Sequence, residues 1–461
     1  MHFCPAIRCF LFVLLSGLTL SCRKAISVPP PTDQLTTAAV FADDAHAIAA
    51  QNGVYTDILS DPKDLLNEGL LYTSLSADEL SRVQSLSPED VFTLNLLPAD
   101  NPFVGHLYTS AYSTTRGTNI ILEQLPSALG ISDSTRKQLT GESKLVRALA
   151  YVYLLNLWGD VPLVLSSDYT TTNNLPRTPI ATVYEQIVRD LVDAQGLLGA
   201  GYRTYAGQPA DRSLPNQATA TAILARVYLY EGNWAGAVQQ ASAVIGDSRY
   251  HLESNLDRVF LSTSNEAIWQ LRPLAPSATA AGAIFLPVAG LRPTYVLTPF
   301  LLNAFEAGDQ RKARWTRSMS FMGKTYVYPY KYKIGSSDTM PVKEYTTVVR
   351  LAEMFLIRAE AAARLGQITE ALGDLNTIRS RAGLPPLNTT DTTILLAAIG
   401  HERQVELFTE YGHRWLDLKR TGQVNAVLSA EKTGWQPYDA LYPFPTQELQ
   451  RNPSLIQNAG Y

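Results

Sequence analysis

The sequence predicts a mainly α-helical fold: tetratricopeptide-like helical hairpins forming an α/α superhelix, interrupted by a large irregular, loop-rich insertion. Two observations carry this. "ARVYLYEGNWAGAVQQASAVI", from Ala225, aligns with "AEAAARLGQITEALGDLNTIR", from Ala359, so that Ala225 matches Ala359, Gly232 matches Gly366 and Ala237 matches Ala371. A helix, a glycine turn and a second helix, with alanine where the two must approach, is the pattern of stacked hairpins. Between the copies, from about Arg249 to Glu344, the chain is rich in Ser, Thr, Pro, Gly and aromatic residues. Loops this long inside a compact protein usually carry function.

Taken from the start, Arg8 and the apolar run Phe10 to Leu20 have the layout of an export signal, shorter than the roughly 20 residues a membrane-spanning helix requires. Residues 1–21 are therefore read as a signal that is removed, leaving Cys22 as the first residue and the site of lipid attachment. All three cysteines, Cys4, Cys9 and Cys22, lie in this segment, so disulfides and cysteine-metal sites drop out of the argument. Helices are expected near Ala38 to Leu59 and Leu107 to Leu125, with a loop-rich stretch from Leu66 to His106 between them. A less regular hairpin joins "GESKLVRALAYVYLLNLWG", from Gly141, to "TVYEQIVRDLVDAQGLL", from Thr182. Gly159 ends the first of these helices and Pro162 prevents its resumption.

Inside the insertion, "EAIWQL" and "TYVYPYKY" read as short strands. In the second repeat copy, Val348, Leu351, Phe355, Ala359 and Ala362 fall at helical spacing. Thr369 is placed to cap the following helix, which Gly383, Pro385 and Pro386 stop. Ile394 to Arg420 reads as one long helix or a pair interrupted at Gly412.

The net charge of -4 argues against nucleic acid, which attracts basic surfaces. His401, Glu402 and Glu406 fail the HExxH metal pattern because Val405 stands in the final position. Glu402 with Glu406, and Glu410 with Arg414, read instead as charges one turn apart on a helix face. No GxSxG elbow, phosphate-binding glycine loop or GxGxxG follows a strand, so the sequence offers no motif for catalysis and none for a cofactor.

Five stretches in order resemble the SusD/RagB family of outer-membrane nutrient-binding lipoproteins of Bacteroidetes. They are "CRKAISVPPP", "KLVRALAYVYLLNLWGDVPLV", "LAEMFLIRAEAAARLGQITEALGDLNTIRSRAGLPPL", "HERQVELFTEYGHRWLDLKRTG" and "LYPFPTQELQRNPSLIQNAGY". The resemblance implies one nutrient-binding domain over residues 22–461, lipid-anchored at the outer membrane and exposed at the cell surface. It also implies a SusC-like TonB-dependent transporter as partner and a glycan as ligand, with peptide as the alternative in RagB-like members. A tetratricopeptide scaffold binding only another protein is the reading from a different class.

Sugar rings have apolar faces, so flat aromatic side chains beside polar ones are the residues to look for. Within the two loop-rich stretches these are Asn101, Phe103, Tyr295, Trp315 and Tyr326. Trp315 has two readings, as a platform for a sugar ring or as a helix end that buries it.

Overall fold

The computed structural model describes residues 37–58, 65–84, 87–204, 210–273, 278–336, 338 and 343–461. Residues 1–21 and Cys22 lie outside these. The main helices are α1 (Asp44–Asp57), α2 (Leu65–Ser76), α3 (Pro102–Gln124), α4 (Asp133–Trp158), α5 (Ile180–Leu197), α6 (Gln217–Glu231) and α7 (Trp234–Ile245). After the insertion come α8 (Leu351–Arg364), α9 (Ile368–Arg381), α10 (Thr392–Glu406) and α11 (His413–Arg420). Among the described residues no helix is long and apolar enough to cross a membrane.

The repeat is present as the alignment predicts. Ala225, Ala237, Ala359 and Ala371 are all fully buried, since only a methyl group fits where α6 meets α7 and α8 meets α9. Gly232 and Gly366 turn the two hairpins at φ +78° and +77°, a conformation that side chains with a Cβ rarely adopt. Helix α7 also packs on α8, so the hairpins stack directly even though the insertion separates them in sequence. The irregular hairpin forms too: α4 packs on α5, and α4 ends at Gly159 with φ +80°. Trp158 is buried there, its Nε1 donating to the carbonyl of Pro443 at 2.9 Å.

Three antiparallel strand pairs complete the fold: Leu80–Arg82 (β1) with Tyr295–Leu297 (β3), Ala267–Leu271 (β2) with Thr346–Arg350 (β6), and Thr316–Phe321 (β4) with Lys324–Pro329 (β5). The pair β2/β6 closes the insertion at its base, Leu271 standing opposite Thr346.

Several expectations need correction. The stretch Leu66 to His106 is not loop throughout, because α2 occupies its start with every residue buried and α3 begins at Pro102. Val348 belongs to β6, not to the helical stripe; its side chain is buried, so apolar spacing alone could not assign it. Thr369 does not cap α9, whose N-cap is Gln367 without a side-chain bond. Of the two readings for Ile394 to Arg420, the pair is the one present, broken where Thr409, Tyr411 and Gly412 take positive φ.

Glu402, Glu406 and Glu410 are not solvated helix-face charges. All three are buried, and Glu406 meets Arg350, Arg311 and Arg381. Arg350 also reaches Glu266 at 2.8 Å and Glu410 at 2.8 Å, while Arg311 holds Glu402 at 2.6 Å. Burial alone would raise the Glu406 carboxyl, yet Arg381, Arg350 and Arg311 hold it well below the usual range. Arg414 pairs with Asp78 at 2.6 Å rather than with Glu410.

Candidate functional site

The two loop-rich stretches meet. Pairing of β1 with β3 sets Leu80 opposite Leu297, Ser81 opposite Val296 and Arg82 opposite Tyr295. Extra backbone bonds extend the contact at both ends, from the N–H of Val83 to the carbonyl of Thr294 and from the N–H of Thr298 to that of Glu79. Strand β5 lies beside β3, so the β4/β5 hairpin borders the same region.

At this junction the polar groups are organised around one guanidinium. The Nε of Arg82 lies 3.2 Å from Glu89, and its Nη1 lies 3.6 Å from Asp90 while donating to the carbonyl of Gln84 at 2.9 Å. The Tyr295 hydroxyl donates to Glu89 at 2.7 Å. Burial, then the Glu89 carboxylate, push that phenol above its ordinary value. Arg292 donates to the Gln84 side chain at 3.1 Å. Leu94 and Leu96, on one segment, and Val288, Leu291 and Phe300, on the other, expose large apolar side chains. The two paired segments thus carry both hydrogen-bonding heads and uncovered hydrocarbon, the two kinds of group that a ring bearing hydroxyls and C–H faces requires.

The sequence-nominated residues divide. Tyr295 sits at the junction, but its ring is buried and packs edge-on to Phe285. Asn101 is the N-cap of α3: its Oδ1 accepts from the backbone of Phe103 and Val104 at 3.0 and 3.2 Å, and its Nδ2 donates to Pro88. Its amide thus holds the loop to the helix, and it is buried. Asn followed by Pro is a helix-start signal that the sequence already carried. Phe103 is half-buried, tilted against Tyr72 at 5.5 Å. Tyr326 is buried on β5, across from Met319.

Trp315 corrects the platform reading. It is 0% exposed, its Nε1 donates to Leu256 at 3.0 Å, and its ring packs against Phe260 at 5.6 Å with the Lys331 ammonium 4.8 Å above it. Its partners lie far away in sequence, so only the fold could decide between the two readings. Arg82, Arg292 and Phe300 are the residues that sequence reasoning passed over. For Phe300 a signal existed, since Thr298 followed by Pro299 marks a helix start and turns Phe300 away from the inward face of Leu301.

Beside the Asn101 cap lies a cleft of about 260 Å³ between the start of α3 and the C-terminal segment, lined by Asp100, Asn101, Gly105, His106, Thr109 and Glu448 among others. The Nδ1 of His106 is shielded from solvent without a hydrogen-bond partner among the described residues.

Comparison with known proteins is consistent along the chain. A sequence model described as the SusD family matches residues 303–461, and one described as starch-binding, associating with the outer membrane, matches residues 50–229. A SusD-like protein of Formosa agariphila, P2, is 29% identical over 423 residues, covering 78% of this chain and 81% of its own. The starch-binding protein SusD of Bacteroides thetaiotaomicron is 25% identical, covering 74% and 76%. Among solved structures, a laminarin-binding SusD-like protein superposes with a TM-score of 0.76 at 23% identity, over 91% of this chain and 100% of that one.

Proposed function

The chain belongs to the SusD/RagB family, and from that premise we propose that it binds oligosaccharides on the surface built around β1 and β3 and delivers them to a SusC-like TonB-dependent transporter. The family is associated with the outer membrane. In this reading the protein is held there by lipid on Cys22, after removal of residues 1–21, and faces the cell exterior.

One observation carries the proposal. The β1/β3 pairing draws two otherwise independent loop segments together, linking Arg82, Gln84 and Arg292 at one end, and the same two segments leave Leu94, Leu291 and Phe300 uncovered. Relatives described as binding starch and laminarin support glycan over peptide. Calorimetric titration of the protein lacking residues 1–21 against starch-derived and laminarin-derived oligosaccharides, with peptides alongside, tests it. Saturable heats are expected with a glycan, and Phe300→Ala should weaken them by about 1–3 kcal/mol, the scale of stacking a ring on an aromatic face. Binding confined to peptides would replace the glycan reading.

The anchor is tested separately. Cys22→Ala should abolish incorporation of labelled fatty acid and release the protein from membranes, and unchanged labelling would remove the lipoprotein reading.

A further inference from the structure

A second concavity lies in the helical scaffold, among residues other than those of the loop surface. It is a groove of about 530 Å³ between α10 and α11, floored by the end of α8. Helix α10 gives it one stripe over three turns, Thr393, Leu396, Ala397, Gly400, His401 and Gln404; α11 gives Arg414, Asp417 and Leu418. The volume lies within the range of small-molecule sites.

The charges in its walls are almost balanced. Arg420 holds Glu360 at 2.6 Å and Asp417 at 2.7 Å, Arg403 holds Asp417 at 2.8 Å from beneath, and Arg414 holds Asp78 at 2.6 Å. Three carboxylates thus answer three guanidiniums. Arg364, on the exposed rim, is a fourth guanidinium and has no carboxylate within ion-pair distance among the described residues; it rests 5.6 Å over the ring of Trp234. The site therefore carries one positive charge in excess. A doubly charged anion would meet the carboxylates of Glu360 and Asp417, whereas a single carboxylate matches the surplus.

The middle of the groove is also kept open. Gly400 lies inside α10, where glycine is a poorer helix former than alanine. A Cβ there would meet nothing within 4 Å, so no neighbouring side chain accounts for its absence. The His401 ring donates through Nε2 to the carbonyl of Ala304 at 2.7 Å, which fixes the ring and leaves Nδ1 as its second polar atom.

We propose that this groove binds a small singly charged carboxylate ligand, its carboxylate on Arg364 and its polar body against Gln404, Thr393 and Thr421. An acidic sugar unit and an acidic amino-acid side chain share this chemistry. Titration followed by ligand-observed NMR, on the protein lacking residues 1–21, uses glucuronate against glucose and N-acetylglutamate amide against N-acetylglutamine amide. At least one acidic probe should bind about tenfold more tightly than its neutral counterpart, the scale of one charge-assisted hydrogen bond. Arg364→Gln should abolish that preference at an unchanged melting temperature, and Gly400→Leu should abolish binding without lowering the melting temperature. Neither variant should alter oligosaccharide binding at the β1/β3 surface, so failure of one site does not imply failure of the other. Equal binding of charged and neutral probes, or full binding by Gly400→Leu, would overturn the proposal.

Discussion

The two repeat copies share a backbone but not a chemistry. Helix α7, "WAGAVQQASAVI", carries no charged residue and packs through Ala237, Ala241 and Val244. Its counterpart α9 uses the same inward positions, Ala371, Leu375 and Ile378, but ends in two arginines that reach out of the hairpin. Arg379 meets Glu306 at 2.6 Å and Arg381 meets Glu266 at 2.6 Å, both acids being in the insertion. Arg350, at the start of α8, joins the same network. The first copy therefore meets its neighbours chiefly through apolar packing, while the second also clamps the insertion with ion pairs.

This contrast breaks most severely at Arg350. Arg350→Met removes the partner of Glu266, Glu406 and Glu410 at once and leaves buried carboxylates behind, for a loss of about 3–5 kcal/mol in a denaturant titration. Trp315→Ala should cost a similar amount through its cavity, about 3–5 kcal/mol, with oligosaccharide affinity intact in the protein that remains folded. A lower affinity at unchanged stability would return Trp315 to the site.

A matched pair of overpacking variants sharpens the comparison. Ala237→Trp and Ala371→Trp should each cost about 1–3 kcal/mol in thermal melts, because the apolar contact is common to both copies. Only Ala371→Trp, through displacement of α9, should also weaken oligosaccharide binding.

A last test concerns pH. Burial pushes the Glu79 carboxyl up to about 8, with neighbouring Asp78 adding to this and the Ser74 hydroxyl, the Thr409 N–H and Lys331 opposing it. A raised folded-state value means that the native state holds the proton more tightly. This stabilisation is complete below the unfolded carboxyl value, roughly 4.3, and is lost as pH rises toward about 8. Glu79→Gln should flatten that part of the stability profile, and an unchanged slope would assign it to another group.

What the sequence made legible was local. The alanine and glycine positions of the hairpins, the stop at Gly159 and the strands at Ala267–Leu271 and Lys324–Pro329 follow from short-range patterns. The ion network was illegible because Glu406 sits one turn from both Glu402 and Glu410, and its true partners come from residues 311, 350 and 381. Val348 failed for a related reason: a buried strand running straight into a buried helix leaves no break in the apolar pattern. At the loop surface residue type was a poor guide. Large aromatics there were drawn inward to pack, and the large apolar groups left outside were leucines, Val288 and Phe300.

The β2/β6 pair has a consequence for how such a protein changes over generations. Chain leaves the ladder at Leu271 and returns directly opposite, at Thr346, so everything between is a closed excursion anchored at adjacent points. For such an excursion the entropy of closure grows only slowly, by about 0.6 kcal/mol for each doubling of length. Segments within it can be lengthened, shortened or exchanged while α7 still finds α8 and the hairpins still stack. One inherited framework can in this way carry excursions of many lengths and sequences.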